Sequence, residues 1–181
     1  MTFYPSRLLA LTTPPDVEPI TLAEAKLYLR VDGDAEDTLI ADLTAAARVA
    51  AEEYLGKSLV EQQWKLAFDE YAGACVALPR GPIISVESVT SYNVDEVATI
   101  ISDAAYRLNA ARDALEFDSV IFGHRVEIIY SAGYGDAAQV PRAIKQGMLA
   151  HMAAMFDRRE QGGVRPATAL ALYAPFREVR V

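Results

Sequence analysis

The 181-residue chain is 52% hydrophobic and 23% charged, with a net charge of −8, the balance of a folded protein with one real core and room for an added lobe. No apolar run approaches the roughly 20 residues that span a bilayer, and the N-terminus lacks the basic start and cleavage site of a secretory signal. The lone Cys75 excludes an intrachain disulfide framework, so a cytoplasmic protein without membrane contact is expected.

The charge is unevenly spread. Before Val140 there are 10 basic and 22 acidic residues. From Val140 onward seven basic residues (Arg142, Lys145, Arg158, Arg159, Arg165, Arg177, Arg180) face three acidic ones. Such asymmetry points to a binding segment. Nucleic acid is a poor partner for it, because the arginines are scattered among apolar residues and the acidic body repels phosphates. Docking to protein, including subunit to subunit, fits better, against the plainer reading of a solvated tail.

Taken in chain order, Thr21-Leu-Ala-Glu24 is a capping box opening a helix that ends near Val31, with Leu22, Ala25 and Leu29 on its buried face. An acidic turn over 32–37 leads into a second helix from about Asp37 to Leu55. Its stripe is Leu39, Leu43, Ala47, Ala50 and Tyr54, and Gly56 suits the left-handed position that ends it. The period then changes to two: Val60, Gln62, Trp64, Leu66 and Phe68 alternate with Glu61, Gln63, Lys65, Ala67 and Asp69, as in a half-buried strand. Cys75–Leu78 reads as a short second strand before the turn Pro79-Arg-Gly-Pro82, and Ile83–Tyr92 as a third. Further strands are expected around Ala98–Ile101, Ala105–Leu108, Ala114–Phe117 and Arg125–Tyr130. Pro141 opens a third helix with Ile144, Met148, Met152, Met155 and Phe156 on one stripe, and Gln161-Gly-Gly163 ends it. A short helical stretch follows from about Ala167 to Tyr173.

The fold expected from this pattern is α+β: a small helical bundle, an antiparallel β insertion between the second and third long helices, and an extended C-terminal tail. The divisions are 1–57 helical, 58–139 β-rich, 140–160 the third helix and 161–181 a docking tail.

Chemistry is hard to place on these residues. His124 reads as a turn histidine and His151 as a helix-flank histidine, neither at zinc-ligand spacing. A calcium loop counted from Asp32 would need glycine and glutamate where Asp37 and Leu43 stand; a solvated turn is the better reading. Gly133-Tyr-Gly135 lacks the Lys-Ser/Thr of a phosphate loop. Cys75, on a strand with no basic neighbour in sequence, reads as a small buried hydrophobe. No catalytic residue, metal site or cofactor is expected.

Three ordered stretches carry a resemblance. They are Glu18-Pro-Ile-Thr-Leu-Ala-Glu-Ala-Lys-Leu-Tyr-Leu-Arg-Val-Asp32; Gly56-Lys-Ser-Leu-Val-Glu-Gln-Gln-Trp64 with Leu78-Pro-Arg-Gly-Pro-Ile-Ile-Ser-Val86; and Tyr130-Ser-Ala-Gly-Tyr-Gly135, Val140-Pro-Arg-Ala-Ile-Lys-Gln146 and Leu172-Tyr-Ala-Pro-Phe-Arg177. In this order the chain resembles the head–tail connector (adaptor) proteins of tailed phages, prophages and gene transfer agents. The resemblance implies a structural, non-enzymatic subunit, assembled in the bacterial cytoplasm and located at the particle neck. It implies a ring, usually dodecameric, beneath the portal protein, offering a platform to a stopper or tail-completion protein while DNA passes without specific binding. An acidic lumen would suit that passage, since it releases no phosphate counterions. It also implies portal binding by the C-terminal segment, carried onto Tyr173, Phe176, Arg177, Arg180 and Arg165, aromatic and arginine side chains of the kind that anchor interfaces. Removing Val164–Val181 is then expected to leave a folded protein that no longer joins capsids. The alternative is a regulatory or scaffold module binding a single protein partner.

Overall fold

The structure is a computed structural model in which residues 7–157 and 166–177 are described. Helix and strand contribute about equally, and one six-stranded antiparallel sheet dominates, so the expected small helical bundle with an antiparallel β insertion is corrected. The strands are β1 (Arg7–Thr13), β2 (Gln62–Ala77), β3 (Ile83–Tyr92), β4 (Ala98–Ile101), β5 (Tyr106–Leu108) and β6 (Ala114–Ala132). The helices are α1 (Leu22–Leu29), α2 (Asp37–Leu55), α3 (Arg142–Asp157) and α4 (Ala167–Tyr173). Sheet order is β1-β2-β6-β3-β4, with β5 paired to β6. The chain divides into two compact units, Met1–Asp16 with Glu61–Gly133 and Val17–Val60 with Tyr134–Val181. Among the described residues no helix is long and apolar enough to cross a membrane.

Two differences from the expected strands explain the enlarged sheet. The stretches expected as separate pairs are single long strands: β2 absorbs Cys75–Ala77, and β6 runs unbroken from Ala114 to Ala132. Phe122-Gly-His-Arg125, which reads as a turn, lies inside β6. Gly123 is there because Ser91 of β3 closes on it; a Cβ at Gly123 would sit 2.7 Å from the Ser91 hydroxyl, which donates to the Phe122 carbonyl at 2.8 Å. The β2–β6 register shifts between Gly73 and Cys75. Residues from beyond that irregularity (Val76, Leu115, Phe117) share one buried cluster with Trp64, Leu66, Phe68 and Ile128 from before it. A bulge lets a long antiparallel pair bend and cover its own apolar face. Cys75, expected to be buried, is exposed.

The second difference is β1, which the sequence pattern does not announce. Leu8, Leu9 and Leu11 do not alternate with polar residues, and the strand pairs with β2 across some 55 positions of sequence, Leu9 opposite Leu66.

The helical unit follows its sequence signals more closely. Thr21 caps α1 through a complete capping box: its Oγ1 accepts from the Glu24 N–H at 3.2 Å, and its own N–H donates to Glu24 Oε2 at 2.8 Å. Gly56 ends α2 at φ 72°. The α2 stripe is turned by one residue from its expected position. Ile40, Thr44, Ala47, Ala51 and Leu55 are buried, whereas Leu39 is exposed. That rotation also brings Arg48 and Glu52 inward, where ion pairing and hydrogen bonds satisfy them. Arg48 Nε donates to Glu18 Oε2 at 2.8 Å and Arg48 Nη1 to Glu52 Oε2 at 3.0 Å, while Glu52 Oε1 accepts the Leu59 N–H at 2.9 Å. On α3, Ile144, Met148 and Met152 are buried as the spacing indicates. His151 is buried with them rather than at the helix flank.

Candidate assembly surfaces

The C-terminal segment is not an extended tail over its described length. Its seven-residue helix α4 and the 3-10 turn Ala174–Phe176 fold back on the helical unit. Tyr173 is fully buried, its ring on Gly147 of α3, where a Cβ would lie 2.4 Å from Tyr173 Cε1. Its ring is 6.0 Å from that of Tyr54. Phe176 is half-buried against the same core, and Arg177 lies over the Tyr54 ring with its guanidinium 5.2 Å from the centroid. Of the residues read as portal-binding, Tyr173 and Arg177 therefore meet Tyr54, and Phe176 packs on the same core; Arg165 and Arg180 lie outside the described residues. Tyr173 anchors the segment from within, and Arg177 is its exposed-side cation.

The basic residues after Val140 do not all belong to that segment. Arg142 and Lys145, on the first turns of α3, face Arg30, Leu27 and Tyr28 of α1 across an open groove of about 880 Å³, floored by Leu149. Leu27 is 82% exposed. It falls off the Leu22–Ala25–Leu29 stripe, and that was the available sequence signal for an unburied apolar side chain. Among the described residues Arg30 and Arg142 have no ion-pair partner. The one acid in the groove, Glu24, is committed to the helix cap. The Thr21 backbone N–H, then the Thr21 hydroxyl, hold its carboxyl below the usual range, with Lys145 adding to the effect against a small opposing cost of burial.

The sheet unit offers two further features. One sheet face carries an ion-pair row. Arg125 pairs with Glu96 at 2.5 Å and stacks over Tyr92 at 4.1 Å, and Lys65 reaches Glu127 at 3.6 Å. At the β3–β4 connection, Asn93 Oδ1 accepts the N–H groups of Asp95 and Val97 at 3.0 and 2.9 Å, and the Asn93 N–H donates to the Val97 carbonyl at 3.2 Å. This fixes a tight loop that exposes Val94, Asp95 and Val97. Among the described residues no group of three or more His, Cys, Asp or Glu could hold a metal ion.

The exposed features are thus apolar knobs, a cation-rimmed groove and an anchored terminal segment. Residues 19–106 match the profile of the family described as phage gp6-like head-tail connector protein. The fold is similar to a chain of the neck of an empty gene transfer agent particle computed with C6 symmetry, at TM-score 0.80 and 26% identity, covering 96% of this chain and 97% of that one. It is equally similar to a chain of the virion of a native gene transfer agent particle (TM-score 0.80, 25% identity, the same coverage). A third match is to the neck of a native particle computed with C12 symmetry (TM-score 0.78, 26% identity, 96% and 97%). No curated protein sequence matches the chain. Residues 19–106, just under half of the chain, thus carry a likeness to the phage gp6-like head-tail connector family.

Proposed function

We propose that the protein is a non-catalytic connector subunit at the neck of a tailed phage or gene transfer agent particle, forming a ring beneath the portal protein and a platform for a stopper or tail-completion protein. The observation that carries this reading is likeness over 96% of the chain to neck subunits of particles reconstructed with C6 and C12 symmetry. The C12 symmetry of one of those necks supports a twelvefold ring. Cyclic rings use heterologous contacts, one patch against a different patch of the next copy, and the unevenly charged surface supplies unlike patches. The acidic excess before Val140 favours a lumen that DNA traverses without adhering.

Portal docking belongs to the C-terminal segment. Tyr173 and Phe176 hold it to the helical unit, and Arg177 with Arg165 and Arg180 supplies cations for the portal. The test is deletion of the gene from the producing strain, with imaging of the particles at the portal vertex. Filled heads without tails are expected, with restoration by the wild-type gene and twelve copies per neck. Normal tailed particles from the deletion strain would overturn the reading.

A further inference from the structure

The α1–α3 groove and the β3–β4 loop have complementary chemistry. The groove combines apolar Leu27, Tyr28 and Leu149 with the cations of Arg30, Arg142 and Lys145, and among the described residues its only carboxylate, Glu24, is occupied by the Thr21 cap. The loop presents Val94 and Val97, 77% and 58% exposed, around the carboxylate of Asp95. Asp95 has no ion-pair partner among the described residues, whereas its neighbour Glu96 is held by Arg125. The Asn93 side chain braces the loop from inside, so docking it costs little conformational freedom.

We propose that the α1–α3 groove of one subunit receives the Val94–Val97 loop of a neighbouring copy. Val94 and Val97 lie on Leu27, Tyr28 and Leu149, and Asp95 meets Arg142 or Lys145. Groove and loop are separate patches of one chain. The contact is therefore heterologous and propagates from copy to copy, as a closed ring requires. A second copy is favoured over a different protein because the chain itself carries both halves, apolar against apolar and carboxylate against a cation-rich rim on which Arg30 and Arg142 have no ion-pair partner among the described residues. This inference rests on the neck-ring reading above and specifies the contact that builds the ring.

The test uses particles from a connector-deleted producer complemented with variants. Arg142→Glu with Lys145→Glu should lower connector incorporation at least tenfold, and Asp95→Arg alone should lower it similarly. Combining the three reverses both sides of the pair and should restore most of the incorporation, which recovery of folding alone would not do. Circular dichroism of the purified variants separates misfolding from lost docking. In parallel, Leu27→Cys with Val94→Cys, in a Cys75→Ser background, should give a ladder of connector multimers with a short bismaleimide, and neither single cysteine should. Well-folded single-side variants that incorporate normally, a triple variant without rescue, or capture of Leu27→Cys by a different protein each overturns the contact. Wild-type connector absent from purified particles overturns the neck reading itself, a result distinct from all of these.

Discussion

Gly147 and Tyr173 show how one small residue decides the path of the C-terminal segment. The Tyr173 ring occupies the space where any side chain at Gly147 would begin, 2.4 Å from the Cβ position. Gly147→Ala should therefore destabilise the protein by about 1–3 kcal/mol through overpacking, read as a lower urea midpoint. Tyr173→Ala should cost about 3–5 kcal/mol, as for other large buried aromatics. A midpoint unchanged in both variants would mean that the segment does not pack on α3. The Arg48–Glu52 pair is a second residue-scale test. Both are buried, and Glu52 also accepts the Leu59 N–H. Glu52→Ala leaves the buried guanidinium with Glu18 as its carboxylate and takes the acceptor from the Leu59 N–H, and should cost about 3 kcal/mol. Replacing both by Met should cost clearly less, because the buried pair then carries no charge.

At the scale of elements, α1 depends on its capping box. Thr21→Ala should lower stability by about 1 kcal/mol. Glu24 titrates below its ordinary 4.5 because the folded state hydrogen-bonds its ionised form. The stabilisation it gives is therefore fully present above 4.5 and is lost as pH falls through the lower folded value. Glu24→Gln should remove this pH-dependent component, so wild-type and variant stabilities converge in acid; parallel curves from neutral pH downward would show that the cap does not titrate as described. The terminal segment behaves as an element too. Since α4 delivers the buried Ala169 and Tyr173, removing Val164–Val181 takes away core, and the expectation that such a truncation stays intact is not met by this packing. Removing only 178–181 together with Arg177→Ala leaves α4 in place. That variant should fold with a urea midpoint lowered only by the lost Arg177–Tyr54 stacking, about 0.5–1 kcal/mol, yet attach few tails if the segment docks the portal.

For the whole molecule, helix and sheet units carry separate cores, and each tolerates different changes. The sheet core depends on β2 and β6 being long enough to bend at the Gly73–Cys75 register shift and cover Leu66, Phe68 and Ile128. Neither length nor bend is written locally. Each long strand contains glycine and charged residues that resemble turn punctuation, and only cross-strand pairing overrides them. The same holds for β1, whose leucines gain their meaning from β2. A ring seen at high resolution should place Asp and Glu side chains toward the lumen; an apolar or basic lumen would argue against free DNA passage.

Local order therefore came from the sequence alone. The Thr21–Glu24 box, Gly56, the Pro141 start, the Ile144–Met148–Met152 stripe and the limits of β3, β4 and α4 are short-range signals, set by capping, turn chemistry and periodicity within a few residues. The ordered motifs also carried the resemblance to connectors. The tertiary structure decided whatever depends on distant partners. It set which face of α2 turns inward, because the Glu18 and Leu59 groups that satisfy Arg48 and Glu52 come from outside the helix. It fused the β strands into one sheet, since a backbone ladder rewards continuity that side-chain pattern does not reveal. And it drew Arg142 and Lys145 away from the basic tail to the rim of a groove on α1, where charge counted along the chain becomes charge placed on a surface.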